Sequence, residues 1–489
     1  MSSVRKQPHV LKILLWSAVP ACLLVLAILL SPLVWAWERE HQWQAYRKTA
    51  LAAGMVLDPP DLPPAIDPAL NFAALAPFAA VPVDADGKPT QPATLPSDGL
   101  PMKLLPDIER NKRADFAGAR EELHLEKVRD ADLPATILRT CEERLGGKWP
   151  AVLAAEAKPQ ARFGVRDWLT TVTEKLPVAD LRTAVQLHVI RAVAFQHMKR
   201  SAEALGEIRG GLRIAAAVQT HSSVVAYVLR SALLNLQMRA VWEGLEQGAW
   251  SNAELAALAK ELAPLHASTG YARMTDAERS RLNTMVECLV AQSASGRARQ
   301  IHQWFPGKEE GPAIMAFVMR WRAVLRDNQL AINRHMDGVR QQIDEKGDWQ
   351  PTELPFDFDK MESPENVRYA LAAITVARYT NAQKYALTAE TFLRQAQLAI
   401  ALERFRREHG NLPERLSEVV PQYLPRVLLD PMDGKEMRYA RDDPRHYRLW
   451  SVGQDREDDG GKVEVKKETD GKEETDPEDI VWPGSAAGK

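Results

Sequence analysis

An uncharged, strongly apolar run near the N-terminus constrains this chain more than any other feature. Residues 13–37 read ILLWSAVPACLLVLAILLSPLVWAW, and none of these 25 residues carries a charge. As a helix with a rise of 1.5 Å per residue, the run is roughly 37 Å long, which exceeds the ~30 Å hydrocarbon core of a bilayer. The sequence therefore predicts a single transmembrane anchor over residues 13–37.

Charges before this run predict its orientation. Arg5, Lys6 and Lys12 precede it, and positive residues stay on the cytoplasmic side of a membrane. We expect a bacterial inner-membrane protein with a cytoplasmic N-terminus (residues 1–12) and a periplasmic body. A cleaved signal peptide is the alternative, with Val34-Trp35-Ala36 as its cleavage site. The anchor is favoured because the apolar run is about twice the length of the apolar part of a signal peptide.

Length and charge limit the function classes. A chain of 489 residues predicts two or three domains. Its formal net charge is −2, and Lys and Arg are spread along the chain instead of being concentrated in a patch. Nucleic-acid partners are therefore not expected, because their phosphates require a basic surface.

Composition changes along the chain predict its segments. Residues 38–57 contain good helix formers and are predicted to be a juxtamembrane helix. Residues 58–106 hold twelve prolines, a density that excludes long helices and central strands, so we predict a proline-rich spacer. Residues 107–387 show helical periodicity and are predicted to form an irregular α-helical bundle or solenoid-like body.

Helix boundaries in this body follow from capping patterns. Ser251 with Glu254, and Thr275 with Glu278, fit the capping box in which a hydroxyl and a carboxylate satisfy the first backbone N–H groups. Residues 224–241 are mostly apolar and are predicted to form a central, buried helix.

The last hundred residues predict a small α+β domain over residues 388–483, followed by a tail at residues 484–489. Residues 388–409 form an amphipathic pattern that Gly410 would end. Strands are expected around Tyr439, at residues 446–452 and at residues 480–482, because these stretches are rich in aromatic and β-branched residues. The fold class predicted for the whole chain is mainly α.

An ordered set of short motifs makes this region resemble the soluble domain of type II secretion major pseudopilins. The set comprises a G-x-x-P loop after a long helix, a D-P pair, a tyrosine, an L-x-S-x-G-x-D strand and loop, and a closing D-I. It covers about a fifth of the chain. The matching residues are Gly410, Pro413, Asp430, Pro431, Tyr439, Leu449, Ser451, Gly453, Asp455, Asp479 and Ile480.

The resemblance implies a pseudopilin-like fold and partners in a secretion or pilus-like system. It does not extend to a prepilin peptidase site, and the long helix lies some 350 residues beyond the apolar run. We therefore expect no processing or polymerisation as a pilin subunit. The rest of the chain is similar to uncharacterised single-pass envelope proteins.

The resemblance also implies a calcium site in the acidic loop after the last strands. Asp455, Asp458, Asp459 and Asp479 occupy the matching positions, and calcium is bound by carboxylate and carbonyl oxygens. No other cofactor is suggested. The alternative is a solvated charged loop, because residues 455–479 contain twelve acids and five Lys or Arg.

Cysteine usage leaves two interpretations open. Cys141 and Cys288 could form a disulfide in an oxidising compartment, or both could be unpaired thiols that pack as small apolar groups. Sequence spacing does not decide between them.

Catalytic signatures are absent from the sequence, which contains no HExxH, GxSxG, P-loop or GxGxxG pattern. The densest polar group comprises Glu122, His124, Glu142 and Glu143, which surface ion pairs explain more simply than a site does. The sequence therefore predicts a non-catalytic envelope scaffold or interaction protein. An envelope hydrolase with its site in the helical body and a calcium-stabilised structural protein are the alternatives.

Overall fold

The chain folds mainly into α-helices, with a small antiparallel sheet near the C-terminus, which confirms the mainly α part of the predicted fold class. The computed structural model describes residues 8–58, 66–84, 88–163, 174–304, 319, 321–342, 349, 368–462 and 479–485. The helices in these ranges are α1 (Pro8–Ala52), α2 (Phe116–Glu122), α3 (Leu133–Arg144), α4 (Trp149–Glu156), α5 (Val178–His197), α6 (Ser201–Val218), α7 (Val224–Glu246), α8 (Asn252–Leu262), α9 (Tyr271–Ala291), α10 (Ala294–Trp304), α11 (Arg322–Gln341) and α12 (Ala370–His409).

Two antiparallel sheets accompany these helices in the described residues. Strands β1 (Val81–Pro82) and β2 (Glu174–Lys175) form a two-residue ladder. Strands β3 (Arg438–Arg441), β4 (His446–Ser451) and β5 (Ile480–Ser485) form a sheet with β4 in the centre. Leu449 of β4 lies opposite Tyr439 on one side and Trp482 on the other. All three strands expected near the C-terminus are therefore confirmed.

The prediction of a transmembrane anchor over residues 13–37 is wrong. Among the helices in the described part of the chain, none is both long enough and apolar enough to cross a bilayer. Helix α1 continues from its apolar part into a charged segment that begins at Glu38, where Trp43 and Ala50 are buried in the protein.

The described chain divides into two compact units. The first unit comprises Met1–Pro60, Arg279–Met336 and Pro355–Ala377. The second unit comprises Asp61–Glu278, Asp337–Leu354 and Arg378–Lys489.

Charged and amide side chains link the helices of the first unit. The Arg326 guanidinium of α11 donates from Nε to Glu40 Oε2 of α1 at 2.8 Å and from Nη1 to Glu287 Oε1 of α9 at 2.6 Å. Asn333 Nδ2 donates to Asn283 Oδ1 at 2.8 Å. Arg326 is almost completely buried, and these hydrogen-bonded carboxylates compensate its charge.

The core of the second unit is built on α5, α6 and α7. Helix α5 is buried on nearly every side, and Leu181, Ala184, Val185 and Ala192 have no exposed surface. A helix that is apolar around its whole circumference requires neighbours on all sides. The same holds for much of α7, which confirms that residues 224–241 form a central helix.

The proline-rich residues 58–106 contribute to this core, although the sequence predicts a spacer. Phe72, Phe78, Leu95 and Leu104 are buried with residues of α3, α4 and α5. Asn71 fixes the segment at its start, because its Nδ2 donates to Arg162 O at 2.9 Å. Prolines exclude regular helix here, but the aromatic and leucine residues between them still bury apolar surface.

The C-terminal sheet packs on the same core as the helices. Trp242 Nε1 of α7 donates to Pro483 O of β5 at 2.7 Å. Gln395 Nε2 of α12 donates to Ile480 O, also at 2.7 Å. One continuous apolar cluster contains Trp242, Met238, Leu449 and Trp482. Residues 388–483, predicted as a separate domain, thus share their core with the helical body.

Capping chemistry was predicted correctly at one position and incorrectly at another. Ser251 and Glu254 form the expected capping box at the start of α8. Thr275 lies inside α9, where its hydroxyl donates to Tyr271 O at 2.9 Å, so the second predicted cap is wrong. Helix α9 begins earlier because Gly270, with φ of +86°, makes the preceding turn.

The two cysteines of the body, Cys141 and Cys288, are both free thiols in this structure. Cys141 is buried, and this burial raises the pKa of its thiol to about 11. Cys288 is partly exposed.

Candidate binding groove

The second unit contains an open groove among the described residues. The volume of this groove is about 810 Å³. The walls come from α5, α7, the second-unit part of α12 and the 3₁₀ turn Met102–Leu104. The lining residues are Met102, Leu105, Val178, Arg182, Gln186, Val224, Val225, Val228, Leu229, Ala232, Asn235, Leu236, Arg239, Asn381 and Tyr385.

Helical spacing produces the floor of the groove. Val224, Val228 and Ala232 follow at intervals of four along α7, so their side chains form one row. The helix starts at this row because Ser223 caps it, with its Oγ accepting a hydrogen bond from Ala226 N at 3.2 Å. Val178, Arg182 and Gln186 form the matching row on α5.

Large apolar side chains are exposed together in this groove. Val225 is 54% exposed, Tyr385 55%, Met102 42% and Val178 37%. Single exposed apolar residues are common on soluble proteins, but several that share one concave surface mark an interaction site.

Positive charge accompanies the apolar floor. The lining contains Arg182 and Arg239 but neither Asp nor Glu. Arg239 donates to Pro106 O at 3.2 Å. Among the described residues, Arg182 makes no ion pair, and its side chain is exposed. The groove therefore favours an anionic group next to an apolar one.

Asn235, one of the lining residues, has a buried Oδ1 without a hydrogen-bond partner in the described part of the chain. Leaving such an atom unpaired costs about 1–3 kcal/mol.

The residues predicted for a hydrolase site do not form one. Glu122 accepts a hydrogen bond from Lys103 N at 3.3 Å, and Glu143 lies 3.9 Å from Arg139. His124 is exposed and lies 4.0 Å from Glu126. None of these residues lines the groove.

A buried charged cluster was missed by sequence reasoning. His188 of α5 is 1% exposed, with Nδ1 2.7 Å from Glu207 Oε2 and Nε2 2.7 Å from Glu156 Oε1. Arg191 Nε donates to Glu207 Oε1, and its guanidinium stacks on Trp149. The only sequence signal for this cluster was a histidine on an otherwise apolar helix face. The positions of Glu156 and Glu207 in the chain gave no indication that they contact His188.

The charges in this cluster support one another. Burial alone lowers the pKa of His188, but the hydrogen bonds and charges of Glu156 and Glu207 raise it to about 9. Burial raises the pKa of Glu207, but the hydrogen bonds and charges of His188 and Arg191 lower it by more. The net shift of this pKa is therefore downward. The cluster is enclosed, and its role is to hold α4, α5 and α6 together.

The acidic loop brings some of the predicted calcium ligands near one another. Asp479 is 8% exposed, and Gly461 N donates to its Oδ2 at 2.7 Å. Burial raises the pKa of Asp479, and the charges of Asp458 and Asp459 raise it further. Asp479 Oδ1 has no hydrogen-bond partner among the described residues.

The remaining predicted ligands have local partners. Asp458 Oδ1 accepts from Trp450 Nε1 at 2.8 Å, and Asp455 Oδ1 accepts from Glu457 N at 3.1 Å. Across the described ranges, no group of three His, Cys, Asp or Glu side chains could hold a metal ion. Residues 463–478 of the acidic loop lie outside the described residues.

Several residues of the C-terminal motifs contact one another. Asp430 Oδ1 accepts from Ser451 Oγ at 2.7 Å, and Tyr439 donates from its hydroxyl to Pro413 O at 2.8 Å. Gly410, with φ of +82°, ends α12 as expected. These contacts link the loop, the turn and the central strand of the tail.

No known protein family, curated protein or solved structure matches this chain significantly.

Proposed function

We propose that this chain is a non-catalytic interaction protein whose groove docks a helical segment of a partner protein. The observation that carries this proposal is a set of exposed apolar side chains that line one groove between α5, α7 and α12, namely Met102, Val178, Val225 and Tyr385. Helical partners commonly bind in such grooves through residues spaced at i, i+3, i+4 and i+7.

The lining chemistry supports binding instead of catalysis. Its polar residues are two arginines, the amides of Gln186, Asn235 and Asn381, and the Tyr385 hydroxyl. A general base is normally a carboxylate or an imidazole, and a nucleophile is normally a serine, cysteine or threonine. Neither class lines the groove within the described residues.

The resemblance of the C-terminal region to pseudopilins supports a particular class of partner. We propose a partner in a type II secretion or pilus-like system, because the pseudopilin-like motif residues Asp430, Ser451, Tyr439 and Pro413 form the internal contacts of the tail. A periplasmic location stays a prediction from the sequence.

Site-specific photo-crosslinking tests the docking proposal. A photoreactive phenylalanine analogue replaces Val225 in the groove, and in a control protein it replaces Leu153, which is 47% exposed on α4. We expect one discrete protein adduct from position 225 and none from position 153 when cells are irradiated. Equal adduct patterns from both positions would contradict the proposal.

Calcium stabilisation of the tail is a second candidate function, favoured by the unpartnered Oδ1 of Asp479. We propose that a calcium ion there would relieve the repulsion from Asp458 and Asp459. Melting is compared in calcium and in chelator, using wild type and Asp479→Asn. A bound ion raises the melting temperature of the wild type only, and identical curves would reject the site.

A further inference from the structure

We infer that the segment recognised by this groove is an acidic amphipathic helix of about four turns. Its apolar stripe packs on the valine floor, and its flanking Asp or Glu side chains face Arg182. This inference rests on the proposed docking function and specifies the chemistry of the partner.

The length of the floor sets the length of the partner. Lining residues on α7 extend from Val224 to Arg239, which are fifteen positions apart. At 1.5 Å per residue this distance is roughly 22 Å, or about four turns of a second helix. The rows at intervals of four on α5 and α7 supply ridges between which the side chains of a third helix can pack.

Charge complementarity determines the charge of the residues that flank the apolar stripe of the partner helix. Arg182 lies on the α5 wall without an ion pair in the described residues, and Arg239 lies on α7. Glu109 lies near Arg239, but no acid lines the groove around Arg182. A basic helix would therefore meet like charge at Arg182, and an acidic helix would gain an ion pair there. Discrimination between acidic and basic partners follows from both effects.

Two designed peptides test this inference on the full chain. Both are fluorescein-labelled helices of about 16 residues with leucines at i, i+3, i+4 and i+7. One carries Glu on both flanks and the other carries Lys. Fluorescence anisotropy at low salt is expected to show about tenfold tighter binding of the Glu peptide, with the difference reduced at high salt.

Matched variants locate the contacts. Arg182→Glu is expected to remove or reverse the tenfold preference, whereas Arg139→Glu, at an exposed position of α3, leaves it unchanged. Val225→Asp is expected to weaken both peptides more than tenfold, whereas Leu153→Asp on α4 does not. Circular dichroism confirms that each variant remains folded.

The outcomes separate this inference from the docking proposal. If both peptides bind the wild type equally and Val225→Asp weakens both, the acidic specificity is wrong while helix docking stands. If a dansyl-labelled undecanoic acid binds in the groove and neither peptide does, the inference is overturned in favour of an acyl carboxylate. The photo-crosslinking experiment at position 225 tests the docking proposal independently.

Discussion

The His188 imidazole lies 2.7 Å from Glu156 Oε1 in the interior of the second unit, and its other nitrogen lies 2.7 Å from Glu207. A fully buried ion pair of this kind stabilises a fold only while its members are charged. The stability of the second unit is therefore linked to the protonation of His188.

We predict that the contribution of His188 to stability disappears at alkaline pH. Its pKa is about 9 in the folded protein, compared with an unfolded value near 6.5. Below pH 6.5 the folded and the unfolded protein both hold the proton on His188, and the stabilisation of roughly 3 kcal/mol is fully present. This stabilisation is lost as the pH rises towards 9. Urea unfolding of wild type and His188→Gln between pH 6 and 10 measures it.

The expected signature is a difference in unfolding free energy between the two proteins that shrinks over this pH range. His124→Gln serves as a control, because that ring is 84% exposed. A difference that stays constant with pH would show that His188 is not charged in the fold.

We predict that Gly210→Ala destabilises the protein by about 1–3 kcal/mol, because overpacking is costly where neighbours cannot move. A Cβ at Gly210 of α6 would collide with the His188 ring, which two carboxylates hold in place. Gly206→Ala in the same helix meets no neighbour and should stabilise by about 0.5–1 kcal/mol. Urea midpoints of both variants test the prediction, and similar midpoints would contradict it.

Asp430 is predicted to be the most sensitive carboxylate of the tail. It is fully buried and accepts hydrogen bonds from Ser451 Oγ at 2.7 Å, Val452 N at 3.0 Å and Arg438 Nη1 at 2.7 Å. Burial raises its pKa, although these bonds act in the opposite direction. Asp430→Asn should cost about 1–3 kcal/mol, because the amide nitrogen replaces one acceptor oxygen and leaves a buried N–H of Met432 or Val452 unpaired, while Arg438 keeps its ion pair with Asp433.

Thermal melts of the full chain measure this cost. Ser451→Ala removes one neutral donor and should cost only about 1 kcal/mol. Asp442→Asn is the control, since the exposed pair of Asp442 with Arg448 is worth less than about 1 kcal/mol. Equal melting temperatures for the Asp430 and Asp442 variants would be inconsistent with the prediction.

Trp482→Ala is predicted to destabilise the helices of the second unit together with the sheet. Trp482 is fully buried in the apolar cluster that includes Met238 and Trp242 of α7, and truncating such a residue costs about 3–5 kcal/mol. Calorimetry should show the unfolding transition of this unit shifted to lower temperature as a whole. A separate low-temperature transition, with helical signal retained, would indicate an autonomous tail domain.

Local patterns were the reliable part of the sequence analysis. The Ser251 cap, the Gly410 helix end and the three C-terminal strands depend on residues only a few positions apart, and each was predicted. Thr275 shows the limit of such patterns. Its sequence fits a cap, but Gly270 starts the helix a turn earlier and the hydroxyl bonds inside the helix.

The candidate site was not predictable to the same degree. Arg182, Asn235 and Tyr385 belong to three helices far apart in the chain, and no spacing rule indicates that they line one groove. The partners of His188 are equally distant, since Glu156 is 32 positions away. The transmembrane prediction used the apolarity of residues 13–37 alone, and no helix in the described part of the chain qualifies as a membrane span.

The sequence by itself determined the helical character of the chain, the proline-rich break and the order of strands in the tail, because backbone propensity and side-chain periodicity act over a few residues. Only the tertiary structure decided that residues 58–106 and the tail share a core with the helices, and that Val225 of α7 stays exposed in a groove. These features depend on long-range packing, in which each apolar surface is buried by whichever distant segment fits it.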